Sequence, residues 1–165
     1  MKNKSILQEI VENYDVDYTK NLISVLDLLK FEKLLNVKFG KILKEYLLRY
    51  GYIGFQSIEF YGINSKQLEK SDMITQTLYL HTYFPKTKGL IAFNNMDEHD
   101  YALVDSEDKI YYYNTITDEM IDMNLNLCDF ILNEFKSINS NTNNFKWNLF
   151  KMQNISRKNT ILFLI

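Results

Sequence analysis

The run MDEHDY holds the densest group of side chains that could do chemistry. Its four consecutive candidates, Asp97, Glu98, His99 and Asp100, could each bind a metal ion or transfer a proton. Consecutive side chains point in different directions, so all four cannot turn toward one ion, and their spacing matches neither a zinc pattern nor a calcium loop. A solvated loop is the favoured interpretation, and we predict no metal and no cofactor.

The remaining sequence offers little support for catalysis. Only two histidines are present, and no serine lies in a Gly-x-Ser-x-Gly elbow. The five glycines form no phosphate-binding loop. Cys128 lies beside the apolar face of a predicted helix, and the sequence shows no positively charged surroundings that would activate its thiol. This favours a buried structural thiol over a nucleophile. We predict that the protein is not an enzyme, and a hydrolase with an unrecognised site is the weakest alternative.

Composition narrows the class of protein further. A chain of 165 residues with 46% hydrophobic content can form one domain spanning residues 1–165. Its 19 basic and 21 acidic residues give a net charge of −2, which argues against nucleic acid as a partner. The charged N-terminus lacks a secretion signal, and the apolar runs are shorter than the roughly 20 residues of a membrane helix. We therefore predict a cytoplasmic protein without a membrane partner, and we favour a monomer.

Apolar periodicity predicts three helices in the first third of the chain. One spans Ser5 to Tyr14, and another begins at Leu22 with such dense apolar residues that we expect it to be covered on more than one side. The third carries apolar residues at i, i+3, i+4 and i+7, namely Leu43, Tyr46, Leu47 and Tyr50. Asn36 and Gly40 are the expected breakers, and Gly51 is expected to end the third helix as a left-handed cap.

The rest of the chain is richer in β signals. Ile58 to Phe60 alternates as a strand, and Ser65 to Tyr83 is predicted as a helix or loop through Asp72 followed by an extended segment. Pro85 marks a turn before a buried strand, Leu90 to Phe93. Tyr101–Val104 and Ile110–Tyr113 are predicted as the two strands of a β-hairpin, and Leu127–Ile138 as a closing helix. These elements predict an α+β fold, with a mainly antiparallel sheet, N-terminal helices and a closing C-terminal helix packed against it.

Several short motifs fall in a fixed order along the predicted elements. They are Phe31-Glu32, Phe39-Gly40, Tyr46-Leu47, Tyr50-Gly51, Gly89-Leu90-Ile91, Tyr101 to Asp105, Ile110-Tyr111 and Phe130-Ile131. Together they resemble the motifs of the SUKH superfamily, the immunity and scaffold proteins related to the yeast cell-wall-assembly regulator. The resemblance covers a core of about residues 22–138. Residues 1–21, with the N-terminal helix, and the C-terminal extension 139–165 lie outside it. Gly40 departs from the proline that the family places at this helix start.

The resemblance implies a protein without an active site. Bacterial members are mostly immunity proteins that bind and neutralise a cognate toxin, often a nuclease. We therefore predict a bacterial immunity protein that occludes a cognate polymorphic toxin without catalysis, and the alternative is a non-catalytic interaction scaffold of the same fold. Structural roles are expected for Glu32, Tyr46, Leu47, Tyr50 and Gly51.

The predicted partner-binding surface combines carboxylates with tyrosines around the hairpin. Carboxylates complement a basic nuclease surface, and tyrosine supplies apolar area with a polar tip. The predicted contact residues are Asp97, Glu98, Asp100, Tyr101, Asp105, Glu107, Asp108 and Tyr112. The competing interpretation is that the acids are ordinary loop residues and that the tyrosines fill the sheet.

Overall fold

The computed structural model describes residues 4–20, 23–63 and 72–139. The chain divides into two compact units, residues 1–132 and 133–165. The second unit is described only through residue 139, where it contains the end of the last helix. The predicted extension beyond residue 139 and the segment 64–71 lie outside the described residues.

Five α-helices and seven strands make up the described chain. In order they are α1 Ile6–Asn13, β1 Asp17–Lys20, α2 Val25–Leu35, α3 Lys41–Arg49, β2 Tyr50–Phe55, β3 Ile58–Phe60, α4 Met73–Tyr83, a 3-10 turn at Pro85–Thr87, β4 Ile91–Asp97, β5 Asp100–Val104, β6 Lys109–Asn114, β7 Glu119–Asn126 and α5 Leu127–Asn139. No helix in these ranges has both the length and the apolar character required to cross a membrane.

The strands form one sheet in chain order, β1 through β7, and every neighbouring pair is antiparallel. The predicted hairpin supplies the fifth and sixth strands: Tyr101 of β5 lies opposite Tyr113 of β6, and Ala102 lies opposite Tyr112. Residues directly opposite each other on neighbouring strands share a face of the sheet, whereas consecutive residues of one strand point to opposite faces. Tyr112 and Tyr113 therefore lie on different faces. The predicted α+β fold with an antiparallel sheet is confirmed.

Local signals explain where the first helices begin and end. Ser5 and Ser24 each form a capping box at the start of α1 and α2. Asn36 ends α2 in the left-handed conformation at φ 53°, and its N–H donates to the carbonyls of Glu32 and Lys33. Asparagine tolerates this conformation better than most residues. The prediction that Asn36 ends one helix and separates it from the next is therefore confirmed.

Helices cover both faces of the central strands. On one face Phe60 and Phe93 stack at 5.0 Å, Tyr46 of α3 meets Phe93 at 5.2 Å, and Phe130 of α5 meets Phe60 at 6.0 Å between ring centroids. On the other face Phe84, which follows α4, lies 5.8 Å from the ring of Tyr113. These aromatic contacts attach α3, α4 and the start of α5 to the sheet.

Two sequence predictions in this part of the chain are wrong. Met73–Tyr83 is helix α4, not an extended segment, because Asp72 caps its first turn and Thr77 packs against β4, where its Oγ1 accepts from the N–H of Ala92 at 3.0 Å. Gly51 is not a left-handed cap, since α3 passes directly into β2 through Tyr50 at φ −125°. The glycine is required instead because the Thr19 side chain of β1 occupies the space of a Cβ.

Candidate functional site

The acidic segment does not form one patch. Asp97 and Glu98 lie at the turn between β4 and β5, whereas Asp105 and Glu107 lie at the turn between β5 and β6. The five residues of β5 separate these turns by about 13 Å, and consecutive turns of an antiparallel meander lie at opposite sheet edges. The structure therefore does not bring the predicted partner-binding acids together.

Asp100, Tyr101 and Tyr112 lie inside the hairpin. Each side chain is buried, and the hydroxyl of Tyr112 donates to Oδ1 of Asp100 at 2.6 Å. The side-chain amide of Asn114 donates to the same oxygen, so the carboxylate holds the end of the hairpin. Tyr101 lies opposite Tyr113 on the other face. These three residues of the predicted contact set are therefore buried in this structure.

Asp105 organises the turn between β5 and β6. Its Oδ1 accepts from the backbone N–H groups of Glu107 at 2.8 Å and Lys109 at 2.9 Å. Tyr111 donates its hydroxyl to Oδ2 at 3.2 Å. Glu107 forms an exposed ion pair with Lys109 at 2.8 Å. In this turn, only Glu107 of the predicted contact acids is fully exposed.

Asp108 of the same turn is buried and caps a distant helix. Its Oδ2 accepts from the N–H of Ile42 at 2.8 Å, and its Oδ1 accepts from the N–H of Leu43 at 2.9 Å, both in the first turn of α3. Its backbone carbonyl also accepts from Leu127 N–H at the start of α5. A Cβ on Gly40 would overlap the Asp108 carboxylate. Glycine at the start of α3 thus leaves room for a cap supplied from far along the chain, and Asp108 of the predicted contact set is likewise buried.

Glu32 ties the end of α2 to α3. The buried carboxylate accepts from Phe39 N–H at 2.8 Å and pairs with Lys44 at 3.0 Å and, more loosely, with Lys38 at 3.7 Å. Burial raises the pKa of Glu32, but the Phe39 hydrogen bond and the two lysine charges outweigh it, so the pKa lies below its usual value. Glu32 therefore holds the junction between the helices as a carboxylate.

The other residues expected to be structural surround the start of β2. Tyr46 is fully buried and donates its hydroxyl to the Phe60 carbonyl at 3.0 Å. Burial raises the pKa of Tyr46 well above its usual range. Leu47 is fully buried, and the ring of Tyr50 meets that of Tyr18 edge-on at 5.3 Å. These contacts join α3 to the first three strands.

Sequence reasoning missed an exposed apolar face on α2. The prediction that α2 is covered on more than one side is wrong, because only Leu28, Glu32 and Leu35 of this helix are buried. On the solvent side, Val25 is 60%, Leu26 68%, Leu29 52% and Leu34 58% exposed. The exposed lysines Lys30 and Lys33 lie among them. Two lysines inside a leucine-rich helix were the signal that one side faces solvent.

We call these six residues the α2 outer face. Its members are Val25, Leu26, Leu29, Lys30, Lys33 and Leu34. An exposed cluster of aliphatic side chains with basic residues among them is typical of protein interaction surfaces. Among the described residues it is a more continuous candidate contact surface than the divided acids.

A pocket of about 660 Å³ lies between the end of α1, β1 and the end of α3. Tyr14, Tyr18 and Tyr50 line it together with Glu12 and Arg49. Two of its charged groups are paired within the protein: Arg49 binds Glu45 at 3.1 Å, and Glu12 binds Lys4 at 2.5 Å. The pocket therefore offers mainly aromatic surface to a ligand, with the carboxylate of Asp15 also in its lining.

Cys128 of α5 is buried, as predicted for a structural thiol. Burial raises the pKa of Cys128 to about 11, and the neighbouring carboxylates of Asp129, Glu45 and Asp108 add to that increase. A thiol with this pKa is protonated at neutral pH and is a weak nucleophile. In the described part of the chain, no group of three or more His, Cys, Asp or Glu side chains could hold a metal ion.

The thiol should react slowly in the folded protein. At pH 7.5 we expect iodoacetamide to alkylate native Cys128 roughly 100-fold or more slowly than the urea-unfolded chain, whose thiol has an ordinary pKa of about 8.5. Mass spectrometry of the labelled protein measures both rates, and a Cys128→Ser variant gives the background because the chain has one cysteine. Equal rates in the native and unfolded protein would contradict a buried thiol.

Comparison with known proteins agrees with this architecture. A protein from Pseudomonas syringae pv. tomato, known from its crystal structure, matches with a TM-score of 0.52 at 15% sequence identity, over 76% of this chain and 92% of that chain. That likeness is one of fold. A search of the curated proteins returned no match. The family model SUKH_5, described as SMI1-KNR4 cell-wall, matches residues 4–136 and so includes α1 and β1, which lay outside the sequence resemblance. The chain thus belongs to the SUKH superfamily, in its SUKH_5 (SMI1-KNR4 cell-wall) family.

Proposed function

We propose that this protein is a non-catalytic bacterial immunity protein that binds a cognate polymorphic toxin and neutralises it by occlusion. Membership of the SUKH superfamily supports an immunity or scaffold role. The observation that carries a binding role is the α2 outer face, where four aliphatic side chains are more than half exposed on a regular helix. Water is displaced from such a surface when a complementary protein covers it, which favours association.

Occlusion requires a rigid surface and no chemistry. The α2 helix is capped at both ends, and its inner side is buried, so the outer face is presented in one conformation. A preordered surface loses little conformational entropy on binding. Blocking a toxin in this way needs only that the bound protein covers the toxin's substrate site.

Genetic protection tests the proposal. The probe is the variable C-terminal domain of the large protein encoded by the open reading frame next to this gene. We expect that domain to arrest growth when it is expressed alone, and co-expression of the full 165-residue chain to restore growth and co-purify with it. An unrelated toxin domain of similar size is the control and should remain toxic.

Three outcomes would overturn the proposal. The first is that the gene has no such neighbour or that the neighbouring domain is neither bound nor neutralised. The second is stable binding without protection, which would instead support a scaffold of the same fold. Protection without co-purification would also contradict neutralisation by occlusion.

A further inference from the structure

The α2 outer face combines two chemistries along one short helix. Val25, Leu26 and Leu29 form its apolar N-terminal part, while Lys30 and Lys33 follow in the next turn, with Leu34 beside them. On a period of 3.6 residues, Leu26 and Lys33 lie two turns apart on the same side. A partner must therefore offer an apolar surface at one end of α2 and accept positive charge at the other.

The local charge is basic although the protein as a whole is slightly acidic. The α2 outer face carries two lysines, Lys30 and Lys33, and no acid, whereas the full chain carries 19 basic and 21 acidic residues. Asp27 of the same helix pairs with Lys30 at 3.2 Å, so Lys33 carries the positive charge of this face that no described ion pair offsets. The charge of this surface favours carboxylates on its partner.

A second copy of the chain fits this face poorly. In a twofold dimer centred on α2, Lys30 at the midpoint of the helix would approach Lys30 of the second copy, and their like charges would repel. The 11 residues of α2 span only about 16 Å, which is short for the roughly 800 Å² per partner of a stable interface between two convex helices. A groove that encloses the helix buries its flanks as well, so it gains more contact from the same length.

We propose that the α2 outer face inserts as a helix into an apolar groove of the toxin that is bordered by carboxylates. This inference rests on the proposed immunity function and names its contact surface. Leu26 and Leu29 fill the groove, and Lys30 and Lys33 pair with its acidic border. The toxin surface that is blocked is then acidic near the groove, in contrast to the basic surface that the acids of the hairpin would have required.

Surface variants test this arrangement with the neighbouring toxin domain, made catalytically inactive, as the probe. We expect Leu26→Gln and Leu29→Gln each to weaken its binding to the full chain at least about tenfold, because glutamine keeps the helix but loses the apolar contact. The matched control is Ile116→Gln in the turn between β6 and β7, where the isoleucine is 70% exposed, and binding there should stay within about twofold. Circular dichroism confirms that each variant is folded.

Association rates test the proposed contacts of the two lysines. Lys30→Glu and Lys33→Glu should slow association severalfold at low salt and less at high salt, while Lys88→Glu, an exposed lysine after the 3-10 turn, should have little effect. If the wild-type chain binds and protects but the α2 variants bind equally well, the inference fails and the immunity function stands. If the wild-type chain does not bind the toxin domain, both fail.

Two other outcomes would also overturn the inference. One is a wild-type dimer in analytical ultracentrifugation that Leu29→Gln dissociates while toxin binding is unchanged, which would assign the face to self-association. The other is binding to anionic phosphatidylserine vesicles that Leu29→Gln abolishes without any effect on the toxin complex, which would assign it to a lipid surface.

Discussion

Replacing Asp108 with alanine is expected to lower the free energy of unfolding by about 2–4 kcal/mol. The carboxylate satisfies two N–H groups in the first turn of α3, from Ile42 and Leu43, and alanine leaves both without it. Asp108 also adopts φ 63°, a conformation that aspartate tolerates better than alanine. Asp108→Asn keeps one acceptor oxygen, and asparagine also tolerates a positive φ. We therefore expect this variant to lower the free energy of unfolding by about half as much as Asp108→Ala.

A double-mutant cycle with Gly40 isolates the contact. Gly40→Ala alone should be destabilising, because its Cβ meets a carboxylate that cannot move without losing both helix bonds. In the Asp108→Ala background the carboxylate is absent, so Gly40→Ala should lower the free energy of unfolding by less. The difference is a coupling energy of about 1 kcal/mol or more, measured by urea unfolding. Additive effects would show that Asp108 does not constrain position 40.

Glu32→Ala is expected to lower the free energy of unfolding by about 2–3 kcal/mol at pH 7. It removes the acceptor of the Phe39 N–H and the anion between Lys38 and Lys44, inside a region with little access to water. Loss of this junction should loosen the end of α2. Glu98→Gln, at an exposed position in the turn between β4 and β5, is the control and should change stability by less than about 0.5 kcal/mol.

The contribution of Glu32 should depend on pH in a defined direction. Because its pKa in the folded protein lies below the unfolded value of 4.5, the unfolded chain binds more protons between the two values. The stabilisation is complete above about pH 4.5 and declines as the pH falls through the folded pKa. Glu32→Gln cannot ionise, so the stability difference between wild type and this variant should shrink below pH 4.5. Urea unfolding from pH 7 to pH 3 measures it, and a constant difference would contradict the assigned ion pairs.

The Glu32 junction also bears on the proposed interface. It fixes the end of α2 relative to α3, and Lys33 and Leu34 of the outer face are the two residues that follow Glu32 in the chain. A mobile helix end would lose more entropy on binding. The same buried carboxylate that stabilises the fold therefore keeps the proposed contact surface in place.

Local patterns in the sequence were enough for several elements. Apolar periodicity located α1, α2, α3 and α5, Asn36 marked a helix end, and the short polar connection between Val104 and Ile110 located the hairpin of β5 and β6. Each of these signals lies within a few residues of the element that it predicts. The same is true of the short motifs that supported the SUKH family, which the family match then showed.

Other elements were not readable from local patterns. β2 follows α3 without a break, and Gly51 resembles a helix cap because nothing in its neighbours reveals Thr19 of β1 above it. Residues of α4 such as Ile74 and Thr77 have strand propensity, but packing against β4 decides in favour of a helix. Tertiary contacts determine the conformation at these positions.

The sequence by itself determined the helices α1, α2, α3 and α5, the hairpin of β5 and β6, the α+β class and the family, because these follow from residue types a few positions apart. Only the tertiary structure decided which of the polar and apolar side chains are accessible at the surface. It placed the carboxylates of Asp97 and Glu107 at opposite ends of β5. It also buried Asp108, which caps a helix more than sixty residues earlier in the chain. It also left one side of α2 uncovered. Periodicity predicts that an apolar face exists, but whether protein or solvent covers that face depends on how distant segments pack.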